Sequence, residues 1–177
     1  MQFRFETAYN QQTLSVMAKC LRKTVRKSHS KRSHMIGWIV AALAIFLPFV
    51  SGEDGLVINF RTMITWTAAA VMVTALIFED RMNGYFAKKR LLKGTEKAIS
   101  TFDPETPDFF VSETAVGKSE FSYAKIFLVA ETQRYFVFLF SKSHAQIYDK
   151  DSLTGGSADE FRNFIGEKTG KPIIPVR

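Results

Sequence analysis

The chain has 177 residues, 46% of them hydrophobic, and carries 24 Lys or Arg against 17 Asp or Glu for a formal charge of +7. Its single cysteine, Cys20, excludes an intrachain disulfide and a multi-thiolate metal site, and it fits a reducing compartment. The charge is uneven. Residues 1–97 hold fifteen basic and six acidic side chains, a balance of +9, whereas residues 98–177 hold nine and eleven, a balance of −2. With no basic patch or groove-reading motif in the C-terminal part, this distribution argues against a nucleic-acid partner.

Residues 1–34 form the first region. Phe3 and Phe5 alternate with polar neighbours, which predicts a short strand. A helix is expected over residues 10–30, with Asn10 as N-cap and Leu14, Met17, Leu21 and Val25 forming one apolar stripe. Its other face is basic, and Lys19, Arg22, Lys23, Arg26, Lys27, Lys31 and Arg32 precede the next segment with no acid among them. Such a helix can lie on a membrane surface, or its stripe can pack on the C-terminal domain or on a partner helix.

Two uncharged apolar runs follow, residues 35–50 and 62–78, sixteen and seventeen residues long. At 1.5 Å per residue each spans roughly 24 to 26 Å, the short end for a hydrocarbon core of about 30 Å. Trp38 and Trp66 stand near their ends as interfacial anchors. Neither run has the polar stripe of a soluble core helix, so a transmembrane hairpin is expected. The loop between them, residues 51–61, carries Glu53 and Asp54 against Arg61, whereas Arg81, Lys88, Lys89, Arg90 and Lys93 follow the second run. Lys and Arg stay on the cytoplasmic side of short flanks, so the loop is expected outside and both termini in the cytosol. The basic residues Lys19, Arg22, Lys23, Arg26, Lys27, Lys31, Arg32, Lys88, Lys89 and Arg90 are candidate headgroup contacts. Gly37 with Ala41, and Ala70 with Thr74, allow close helix packing inside a hairpin or between protomers, which leaves a homo-oligomer open.

Residues 79–100 keep helical composition and are expected to form a cytosolic linker. Pro104 and Pro107 then end any helix, which puts a domain boundary at residue 101. Beyond it the period becomes strand-like, in short runs at 109–111, 119–121, 126–129, 135–140 and 144–148 separated by turn residues. An antiparallel meander is expected, closed by a helix that begins at the capping box of Ser157 and Glu160, buries Phe161, Phe164 and Ile165, and stops at Gly170 and Pro172. The fold class is therefore α+β: a two-helix transmembrane hairpin with a small cytosolic antiparallel β domain, residues 101–177, and a C-terminal helix.

The runs Phe121-Ser122-Tyr123-Ala124-Lys125-Ile126, Tyr135-Phe136-Val137-Phe138-Leu139-Phe140, Ala145-Gln146-Ile147-Tyr148-Asp149-Lys150 and Glu160-Phe161-Arg162-Asn163-Phe164-Ile165, in this arrangement, resemble the YcxB-like family of bacterial membrane proteins. Tyr123, Lys125 and Asp149 depart from the residues that family tends to have there. The resemblance implies a pleckstrin-homology-like (PH-like) β domain tethered to the bacterial cytoplasmic membrane, multi-pass, with no established activity.

No nucleophile with an oriented base, carboxylate pair or ligand-spaced histidine set can be assembled, so neither an enzyme nor a cofactor is expected. His29, His34 and His144 are scattered, and Gly155-Gly156 lacks the Lys-Ser or Lys-Thr of a phosphate loop. Cys20 is a candidate for reversible acylation if it lies free beside the membrane. The function expected is a membrane-anchored cytosolic binding or scaffolding module, with the lipid bilayer and a protein of unknown identity as partners. The alternative is a small accessory subunit of a transporter or sensor.

Overall fold

The computed structural model describes residues 2–50, 59–106 and 108–177. Most of the loop expected over 51–61 lies outside them. The chain begins with β1 (Phe3–Ala8), then the helices α1 (Gln11–Lys23), α2 (Lys27–Val50), α3 (Phe60–Ile77) and α4 (Glu79–Lys89). The strands β2 (Lys97–Phe102), β3 (Phe109–Thr114), β4 (Gly117–Ser122), β5 (Leu128–Glu131), β6 (Tyr135–Leu139) and β7 (Ala145–Asp149) follow, then α5 (Ala158–Thr169) and β8 (Ile173–Pro175). They form two four-stranded sheets, ordered β1-β2-β3-β4 and β7-β6-β5-β8. All pairings are antiparallel except β5 with β8.

The two sheets enclose an aromatic core. Phe161 from α5 sits among Phe3, Phe5, Phe102, Phe136 and Phe138 at ring separations of 4.6 to 6.3 Å. The capping box of α5 forms as expected: Ser157 accepts from the Glu160 amide while the Glu160 carboxylate accepts from Ser157, and Gly170 ends the helix in the left-handed region at φ 61°. This places Phe161 and Ile165 against the open end of the sandwich. The run 135–139 is apolar without alternation because β6 is buried on both faces. Phe136 and Phe138 face the aromatic core, while Tyr135, Val137 and Leu139 meet Cys20 and Leu21 of α1.

Three expectations are corrected by these contacts. The helix expected over 10–30 breaks after Lys23, where Thr24 leaves helical geometry and the Arg26 amide donates to Leu21 O at 2.9 Å. Val25 is partly buried against the cluster that holds Leu21, on the outer face of the second sheet. The linker expected to be helical through residue 100 ends at Lys89, and residues 97–102 are β2. Their buried positions Ala98, Ser100 and Phe102 alternate, and pairing with β1 fixes them as a strand. The boundary placed at residue 101 thus falls inside β2, and Pro104 lies in the β2–β3 connection.

α2 and α3 are long and apolar enough to cross a membrane. They pack antiparallel, with Gly37 against Leu76 and Phe49 beside Trp66 at 6.2 Å between ring centroids. Ala41 and Ala69 are buried in this contact, whereas Ala70 and Thr74 face outward. Thr65, Thr67 and Thr74 return hydrogen bonds to carbonyls four residues back, satisfying their hydroxyls within the helix. Trp38 is exposed on the outside of α2, while the Trp66 Nε1 is buried without a hydrogen-bond partner among the described residues.

Candidate functional site

α1 joins the apolar hairpin to the sandwich. Its stripe covers the second sheet, so it is not free to lie on a bilayer, and Cys20 is fully buried beneath it. Burial pushes the Cys20 thiol up to about 12, which removes the thiolate that acylation requires. The other side of α1 meets α4. Arg22 Nε and Nη2 donate to both oxygens of Asp80 at 2.8 and 2.5 Å, and this hydrogen-bonded carboxylate holds the guanidinium charged. Gly84 lies against Ser15 and Gln11, so the two helices run antiparallel. One step nearer the hairpin, His34 Nε2 of α2 meets Glu79 Oε2 at 2.5 Å.

Beside this clamp is an open cleft of about 740 Å³, formed where the α1–α2 elbow faces the C-terminal segment. Arg22, Lys23, Lys27, Lys31 and Arg177 supply its cationic wall, His34 lies beside them, and Ile174, Pro175 and Val176 supply an apolar wall. No Asp or Glu side chain lines it among the described residues. The β8 strand brings the last residues here by pairing with β5, and the Val176 amide continues the ladder to Glu131 O at 2.7 Å. Arg22 is engaged by Asp80, His34 by Glu79, and the Lys23 ammonium donates to the main-chain oxygen of Arg177. The side chains of Lys27, Lys31 and Arg177 have no hydrogen bond or ion pair among the described residues.

The ten candidate headgroup residues therefore separate. Arg22, Lys23, Lys27 and Lys31 converge on the cleft. Arg26 Nε donates instead to Lys142 O at 2.6 Å, and Lys19 and Arg32 lie outside the cleft wall. Lys88, Lys89 and Arg90 end α4, where the Lys89 ammonium lies 4.7 Å over the Tyr85 ring. Arg177 was missed, because nothing local in the sequence shows that the C-terminal segment returns to α2. A second concavity, about 700 Å³, lies along the exposed edge strand β4, lined by Phe109, Phe121 and Phe140 with Glu120, Lys125 and His144.

These elements define a two-sheet sandwich with a terminal helix, joined through a helical clamp to an apolar helical hairpin. Residues 106–165 match the family described as YcxB-like protein, the family that the sequence resembles. That segment runs from the β2–β3 connection through most of α5. No curated protein and no solved structure matches the chain.

Proposed function

We propose that the protein is a membrane-anchored cytosolic binding or scaffolding module: α2 and α3 cross the bacterial cytoplasmic membrane, both termini are cytosolic, and a PH-like sandwich works at the inner face. The observation that carries this reading is the clamp. Arg22–Asp80 ties α1, which packs on the second sheet, to α4, and His34–Glu79 ties α4 to α2 at the base of a hairpin whose large apolar side chains point outward, so that domain and anchor share one junction. In water that outward apolar surface would be costly, and in hydrocarbon it is not.

α4 supports the same reading. Met82, Tyr85 and Phe86 are 42%, 44% and 49% exposed on the side away from α1, directly after α3, with Arg81, Lys88, Lys89 and Arg90 around them. An apolar stripe flanked by cations suits the headgroup boundary. The basic flanks attract anionic lipid generally, whereas a protein partner is received along the β4 edge, where unpaired strand groups and the Phe109–Phe121–Phe140 groove lie together.

Labelling with a membrane-impermeant maleimide tests the anchoring. In a Cys20→Ala background, a cysteine at position 54 is expected to react on intact cells, and His29→Cys and Lys118→Cys only after permeabilisation. Labelling of position 54 solely from the cytosol would refute the topology.

A further inference from the structure

We infer that the cleft between α2 and the C-terminal segment binds one anionic phospholipid, its phosphate held between Lys27 and Lys31 and an acyl chain lying along Trp38 and Ile45 of α2. The inference rests on the membrane anchoring proposed above and goes past it, from a general attraction to a single occupied site.

The first reason is electrostatic. Lys27 opens α2, Lys31 follows one turn later, and the first turn contains no acid. The start of a helix carries partial positive charge, so cations there are unfavourable, and like charges four apart repel. Arg177 faces the same space, and the neighbouring carboxylates Glu79 and Asp80 are already engaged by His34 and Arg22. The site thus holds uncompensated positive charge that an anion would neutralise.

The second reason is depth. Lys31 and Lys27 precede Met35, where the apolar run begins, by about 6 and 12 Å along the helix axis. The headgroup layer extends roughly 5 to 7 Å beyond the hydrocarbon on each side, so Lys31 stands at phosphate level and Lys27 reaches down to it.

The third is continuity. At 100° per residue, Lys27, Lys31, Trp38 and Ile45 fall within about 40° of one another on α2. Trp38 is 49% and Ile45 41% exposed, so the cationic pair opens directly onto an uncovered apolar track. Ile174 to Val176 supply an apolar flank to the glycerol region. A free phosphate would use the cations but leave this track empty, which favours the lipid.

The test is native mass spectrometry of the full-length protein in detergent with equimolar phosphatidylglycerol and phosphatidylcholine. The wild type is expected to retain one phosphatidylglycerol in preference to phosphatidylcholine. The Lys27→Gln/Lys31→Gln variant should bind it about 25-fold more weakly, taking about fivefold per lysine. A Lys97→Gln/Lys118→Gln variant, with the same loss of charge, should bind as the wild type does. Equal retention by the cleft variant, no preference for the anionic lipid, or complete displacement by millimolar inorganic phosphate would each overturn the lipid site. The maleimide pattern reads anchoring separately: with that pattern intact in the cleft variant, a failure here belongs to the cleft and not to the anchor.

Discussion

Gly84 of α4 decides how closely the anchor meets the domain, and replacing it with alanine has two opposed consequences. In a free helix Gly→Ala stabilises by about 1 kcal/mol. At this position a Cβ would fall on Ser15 Oγ and lie 2.7 Å from Ser15 N and 2.8 Å from Gln11 O. The serine hydroxyl can rotate away, but the two backbone atoms belong to α1, which is itself packed on the second sheet through Leu21 and Cys20. Relief therefore requires the helices to separate by several tenths of an ångström. Overpacking of this kind costs about 1–3 kcal/mol, and backbone contacts belong to the upper part of that range. The net expectation for Gly84→Ala is a loss of about 1–2 kcal/mol. For a chain of this length that corresponds to a fall in Tm of about 2–8 °C, measured by circular dichroism of the full-length protein in detergent. Amide exchange over residues 11–23 should rise as well. Adding Ser15→Ala should not restore stability, because it removes the hydroxyl and leaves the backbone contacts. An unchanged or higher Tm for Gly84→Ala would refute the close α1–α4 approach and the rigid clamp built on it.

Phe161→Ala empties the centre of the aromatic core and should cost about 3–5 kcal/mol, read as loss of the cooperative thermal transition or a large fall in Tm. Retention of wild-type stability would contradict the sandwich packing. Alkaline titration should destabilise the fold. Burial pushes Tyr9 from 10.0 and Cys20 from 9.0 up to about 12, so both are neutral when folded. A raised folded value stabilises fully below the unfolded value and is lost as pH rises through the folded one, which places the loss between about pH 9 and 12. Stability that stays flat across that window would refute the burial of both groups. Glu131 behaves oppositely: its hydrogen bonds from Arg162, with the one from Lys150, hold its carboxyl below the usual range. That contribution is present above pH 4.5 and is lost as pH falls below it. Glu131→Gln should therefore lower Tm at pH 7 and flatten the acid limb of the stability profile, and an unaltered acid limb would refute it.

Elements whose signal is local are legible in the amino-acid order alone. The apolar runs 35–50 and 62–78 became α2 and α3 because uncharged length is legible without knowing a partner. The capping box of Ser157 and Glu160 and the stop at Gly170 were equally legible, since their hydrogen bonds span three or four residues. The YcxB-like resemblance rested on strand-period patterns in the segment that the family match covers. Which surface covers each apolar face was instead set by long-range packing. The α1 stripe has the period of a membrane-surface helix and of a packed helix alike, and the second sheet chose between them. Residues 97–100 read as the end of a helical linker, but pairing with β1, nearly a hundred residues away in sequence, makes residues 97–102 a strand. The cleft arose in the same way. Lys27 and Lys31 are visible as a basic flank, but Arg177 reaches them only because β8 adds parallel to β5. Periodicity records that a face is apolar or charged, whereas its partner is set by long-range pairing that a local pattern does not encode.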